Sequence, residues 1–180
     1  MRLTRLKVVN YARLQDLDVE VRKHLVIVGA NDVGKTSLLR ILHFTLGATL
    51  GQLYQSLSRA DLRDQEQPLT VEAVLADFSD IERALFHREI DIEAGSGAVS
   101  LTVRLDVQPN EDDLEAVVIH RVLTGTADRR APTRQQLEAF GWRYLPATRG
   151  TSGAQLGGPN SALQLMLDSL DMGAEAAVGP

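Results

Sequence analysis

Eight residues, Gly29-Ala30-Asn31-Asp32-Val33-Gly34-Lys35-Thr36, restrict what this chain can fold into more than any other stretch. They follow the apolar run Leu25-Val26-Ile27-Val28, which predicts a fully buried strand. They precede Ser37-Leu38-Leu39-Arg40-Ile41-Leu42-His43-Phe44, where apolar residues recur three and four apart, and Gly47 stands where a helix would end. Strand, glycine-bounded loop with Lys-Thr at its close, then helix: this is the full context a phosphate-binding loop requires.

Each position has a mechanical reason. Gly29 and Gly34 lack a Cβ, so the backbone can take positive φ and turn successive N–H groups toward one anion. Ala30, Asn31, Asp32 and Val33 supply main-chain donors between them, and Thr36 and Ser37 continue the set into the first turn of the helix. There, unsatisfied N–H groups and the positive end of the helix dipole favour phosphate. Lys35 is expected to reach the outer phosphates of a nucleotide, and the Thr36 hydroxyl to ligate Mg²⁺.

Bulk properties narrow the setting. At 180 residues the chain is about one domain, and a net charge of −5 supplies no global field toward nucleic acid or anionic membrane. Any DNA contact must therefore be local. With no cysteine, disulfides, thiolate catalysis and Cys-type zinc sites are excluded. The amino-terminal residues alternate charged and apolar rather than forming a signal peptide, and no apolar run reaches the length of a membrane span, so a cytoplasmic address and no membrane partner are expected.

Along the chain, Met1 to Asn10 alternates and predicts a strand with one wet face, followed after Tyr11-Ala12-Arg13-Leu14 by a second short strand over Leu17–Val21. Thr49 to Gln67 reads as a helix and loop ended by Pro68, with Gln65 and Gln67 as candidate metal and water contacts or as solvated loop residues. Leu69 to Phe78 is an apolar run closing on Asp77, for which a capping or surface role outweighs magnesium ligation; Ser79 is placed to cap the helix that follows. Val99–Val107 alternates without a fault, and Leu114–Leu123 returns beside it as a hairpin. The acidic Glu111, Asp112 and Asp113 read as a solvated loop. Arg129, Arg130 and Arg134 sit in a linker-like piece, where solubility is favoured over phosphate contact. A short helix ends at Gly141, and Asn160-Ser161 can cap a last helix with Leu163, Met166, Leu167 and Leu170 on one face. His24, His43, His87 and His120 lie far apart and receive no metal role.

Leu3-Thr4-Arg5-Leu6-Lys7-Val8-Val9-Asn10-Tyr11-Ala12-Arg13-Leu14, a spacer, then Leu25 through Leu39 with the glycine loop inside it, resembles the amino-terminal lobe of the RecF/SMC/Rad50-like ABC ATPases. Within that group it is most similar to the OLD family of ATP-dependent endonucleases. The resemblance is close over residues 1–47 and loose beyond. It implies an α/β P-loop NTPase of ABC-ATPase (RecF/Rad50-like) type, a mixed sheet with an antiparallel β subdomain, and an incomplete head. It also implies that ATP with Mg²⁺ is the ligand and that Asn31 is the usual third loop residue. The turn after the first strand would stand beside the nucleotide, which brings Arg13 into the site. Residues 142–149 resemble a strand and arginine element of OLD-like ATPases, in which Arg149 would face nucleotide or a partner subunit.

The expected organisation is one lobe: 1–47 with antiparallel strands, loop and first helix, 68–124 with antiparallel strands and a helix, and 125–180 helical and linker-like. Neither a serine-glycine signature nor an apolar strand ending in paired acids is found. In the family these lie downstream of a dimerising arm, and the nuclease domain of OLD proteins comes later still, so the chain is expected to be the front part of a larger protein. The leading reading is an ATP-binding lobe that couples occupancy to homodimer or larger assembly and, in full length, to DNA. A self-contained GTPase-like switch is weaker, lacking an Asn-Lys-x-Asp base-reading motif. A non-hydrolysing nucleotide-binding interaction module is the third.

Overall fold

In the computed structural model, residues 1–12, 14–30, 33–93, 95–113, 115–124 and 129–142 are described. The chain divides into two compact units, Met1–Tyr144 and Leu145–Pro180. The second unit lies outside the described residues, and with it the expected helix from Asn160 and the candidate Arg149.

Among the described residues, six strands form one sheet: β1 (Arg2–Val9), β2 (Leu17–Glu20), β3 (Leu69–Ala76), β4 (Asp91–Ile92), β5 (Val99–Pro109) and β6 (Val117–Thr124). The order is β2-β1-β3-β5-β4, with β6 also paired to β5, and every pairing among the described strands is antiparallel. Alternation explains the register. Leu69, Val71, Ala73 and Leu75 of β3 are buried, as are Leu101, Val103, Leu105 and Val107 of β5, while the residues between them face the other side. That other side carries a charge ladder in which Lys7 opposes Asp18 and Glu72, and Glu72 opposes Arg104 and accepts its Nη1 hydrogen bond at 3.0 Å. In β1, Leu3 and Leu6 break the strict period of two. A register shift between Leu3 and Arg5 absorbs the extra residue, so both leucines can serve the core.

One helix, α1 (Lys35–Leu46), lies on the apolar face, with Leu38, Ile41, Leu42, Phe44, Thr45 and Leu46 buried. This is the three-and-four spacing of an amphipathic helix, and each fully buried leucine contributes about 1.5–3 kcal/mol. Gly47 closes it through an N–H bond to the His43 carbonyl. The other helices are short and begin with reciprocal caps: α2 (Leu50–Ser56) with Thr49 and Gln52, α3 (Asp80–Leu85) with Ser79 and Glu82, and α4 (Arg134–Ala139) with Thr133 and Gln136. Arg121 of β6 is buried and donates to the carbonyls of Phe44 and Ala48 at 3.0 and 2.5 Å, pinning the end of α1 to the sheet. Burial pushes its guanidinium down to about 10.

One expectation fails. Leu25-Val26-Ile27-Val28 is not a buried strand: the segment before the loop is irregular and pairs with none of the six strands. Val26 and Val28 are 79% and 87% exposed, and only Ile27 packs on the core. The physical reason lies in the ladder, since both edges of β1 are already taken, by β2 and β3. A run that is apolar on every side needs cover on both faces and strand neighbours, and the described residues provide neither.

Candidate functional site

Gly34 is the residue on which the loop turns. Its φ of +90° is left-handed, it stands immediately before α1, and its carbonyl takes the first helical hydrogen bond from Leu38 N at 2.9 Å. A side chain here would be strained, and its Cβ would meet Leu14 Cδ1 at 3.0 Å. At the other end of the loop, a Cβ on Gly29 would lie 2.9 Å from Val33 Cγ2. Lys35 folds back over this curl: its Nζ donates to the Gly29 carbonyl at 2.7 Å and to the Ala30 carbonyl. The loop thus brings one ammonium group and the free amides at the start of a twelve-residue helix to one place.

That donor set suits a polyphosphate. The amides of Lys35, Thr36 and Ser37 precede the first intrahelical bond, and the lysine can exchange its two carbonyls for phosphate oxygens. Thr36, exposed at the helix start, offers one hydroxyl oxygen, which fits a magnesium ion that keeps waters and completes its shell from phosphate. Among the described residues no group of three or more His, Asp or Glu converges to hold a metal ion.

Of the residues expected in the site, Gly29, Ala30, Val33, Gly34, Lys35, Thr36 and Ser37 are gathered here, whereas Asn31, Asp32 and Arg13 lie outside the described residues. Leu14 packs against Gly34. Gln65 and Gln67 are exposed, in a segment that docks on this same turn. Asp77 is a surface residue with φ +60°, paired to Arg2 at 2.7 Å. The Glu111–Asp113 loop is solvated, and Arg130 and Arg134 are paired with Glu89 and Glu138. His43 is packed beside Gly47 and Trp142, and burial holds its imidazole below its usual range. Sequence reasoning missed Asn10, Asp16 and Arg63, which surround the turn at Leu14. Their spacing in the chain carries no periodic signal, and only an asparagine at a strand end hinted at a left-handed residue.

The family model for the AAA ATPase domain matches residues 1–117, well over half of the chain. The chain belongs to the AAA ATPase domain family. The match takes in the glycine loop and α1 together with β1 to β5, so the loop described above lies within a nucleotide-binding ATPase domain. Twenty-seven chains of solved structures match as well. One, from work on the structural biochemistry of ATP-driven dimerization and DNA-stimulated activation of SMC ATPases, aligns with a TM-score of 0.54 and 17% identity, covering 93% of this chain and 98% of that one. The ATPase domain thus shares the α/β fold of an SMC-type ATPase. A comparison with curated proteins finds no match.

Proposed function

We propose that this ATPase domain binds Mg-ATP through residues 29–37 and works as the amino-terminal lobe of an OLD/RecF-like ATPase. In this reading the amides from Gly29 to Ser37 hold the phosphates, Lys35 neutralises the outer pair, Thr36 ligates Mg²⁺, and Arg13 approaches from the adjacent turn. The supporting observation is the left-handed Gly34 opening α1 while Lys35 curls over the carbonyls of Gly29 and Ala30. A loop already bent around its own ammonium group spends little to bend around an anion.

Occupancy of this loop would be coupled to dimerisation and, in a complete cytoplasmic assembly, to DNA. ATP-driven dimerization and DNA stimulation belong to the SMC ATPases named above, and the shared fold makes them the first properties to test here. Turnover belongs to that assembly, because phosphoryl transfer needs a positioned water and charge-stabilising groups beyond the loop.

The test is titration of the 180-residue chain with a fluorescent ATP analogue in the presence of Mg²⁺, competed with ATP and GTP. Lys35→Ala is expected to weaken ATP binding about ten- to a hundredfold, the worth of one or two charge-assisted bonds. Unchanged affinity in that variant would remove the reading, and preference for guanine would turn it toward a GTPase-like switch.

A further inference from the structure

The turn that leaves β1 is held in a conformation that Ala12 does not favour. Asn10 has φ +63° and Ala12 φ +44°, left-handed positions for non-glycine residues. The segment Asp61–Gln67 keeps them there. Asn10 Nδ2 donates to the carbonyls of Asp64 and Gln67 at 2.9 and 2.7 Å, Asp64 N donates to Asn10 Oδ1 at 2.7 Å, and Ala12 N donates to the Asp61 carbonyl at 2.7 Å. Arg63 then closes the far side of the turn. Its Nη1 donates to the Leu14 carbonyl at 2.9 Å, and its Nη2 donates at 2.7 Å to Asp16 Oδ1, which also accepts from Asn10 N at 2.8 Å.

What this brace delivers is Leu14. The leucine is buried, and its Cα lies 3.5 Å from where a Cβ on Gly34 would stand. Leu14 is therefore the wall behind the left-handed glycine that starts the phosphate loop. We infer that Arg63 is a positioning residue for that loop: by gripping the Leu14 carbonyl and Asp16 it seats the turn against Gly34 and so sets the affinity for nucleotide phosphate. The inference rests on the nucleotide site proposed above and adds a determinant of its affinity that touches no ligand. The Arg63 side chain is 41% exposed, and the backbone bonds of Asn10, Ala12 and Asp64 do not depend on it, so its loss loosens one side of the turn and leaves the core intact.

Arg63→Met and Arg63→Lys in the 180-residue chain test this, with Lys35→Ala as reference, by thermal melting, amide hydrogen exchange and fluorescent-ATP titration. Arg63→Met is expected to melt as a folded protein, to exchange the Leu14 amide faster, and to bind ATP about three- to tenfold more weakly, with Lys recovering part of both losses. Faster exchange at Leu14 with unchanged ATP affinity would overturn the inference, because a purely structural tie gives that result. Should Arg63→Met fail to fold, Asp16→Ala, which removes the shared acceptor, must show the same paired change or the inference falls. Equal ATP binding by the unmodified chain and by Lys35→Ala would instead remove the nucleotide site itself, whereas loss in Lys35→Ala with full binding in Arg63→Met removes the brace alone.

Discussion

The β3 strand and the segment before the phosphate loop are both rich in β-branched and aliphatic residues, yet they end in opposite states. In β3, Leu69, Val71 and Ala73 have no exposed surface, and the strand is laddered on both sides, to β1 and β5. In the loop segment, Val26 and Val28 are almost fully exposed, and no strand lies beside them. Composition does not separate the two. Partners do: β3 alternates, so one covered face and two neighbours complete it, while a run that is apolar throughout needs cover above, below and at both edges. The contrast also shows how the loop is positioned, through α1 and the Leu14 turn rather than through its own strand.

The contrast can be broken by mutation. Leu105→Ala, at a fully buried position of β5, is expected to cost about 2–5 kcal/mol, the lost transfer energy plus the cavity left in a packed sheet. Val28→Ser is expected to stay within about 0.5 kcal/mol, as a surface change away from any packed feature. Urea denaturation of both variants decides the matter. A loss at Val28 comparable to that at Leu105 would mean that the loop segment is covered in solution.

The sheet was legible in the residues because its signals are local. The unbroken alternation of Val99–Val107 needed no partner to be read, and Ser79 announced α3 as its cap, to which the structure adds the reciprocal bond with Glu82. The helix behind the glycine loop was legible as well, since its buried residues recur three and four apart and Gly47 stands at its end. What escaped was everything set by distant neighbours. Nothing near Leu25–Val28 says whether a strand will lie beside it, and nothing near Arg63 says that it will meet a carbonyl 49 positions earlier. Expected alternation also missed the register shift in β1, because a bulge shows itself only when the facing strand is counted.

Arg121 sharpens the same contrast at the far end of α1. Its guanidinium satisfies the carbonyls of Phe44 and Ala48, so Arg121→Met, which keeps much of the volume, removes both bonds and leaves those oxygens buried. The expected loss is about 1–3 kcal/mol, less than at Leu105, because methionine also relieves the cost of burying a charge. Amide exchange should localise the effect, with Gly47 and Ala48, both bonded to the His43 carbonyl, exchanging faster while the β3 amides do not. If β3 loosens equally, Arg121 supports the whole sheet rather than the helix end.

The smallest effect expected is a matter of pH, and it isolates the ionic part of the Leu14 turn. The Asn10 N–H holds the Asp16 carboxyl below the usual carboxylate range; burial opposes it, and the bond and charge of Arg63 add to the lowering. A carboxyl with a lowered folded value stabilises the fold above its unfolded value of 3.8 and loses that contribution as pH falls through the folded value. Asp16→Asn cannot titrate. The stability difference between the unmodified chain and Asp16→Asn should therefore be constant near neutrality and shrink as pH drops below about 4. Half of the Asp16 side chain is exposed, so solvent screens the pair and the difference is small; thermal melts at closely spaced pH values are needed to see it. A difference that persists unchanged to pH 3 would mean that Asp16 acts through hydrogen-bond geometry alone, which its amide can imitate in part, and the Arg63 grip on the turn would then rest on the Leu14 carbonyl.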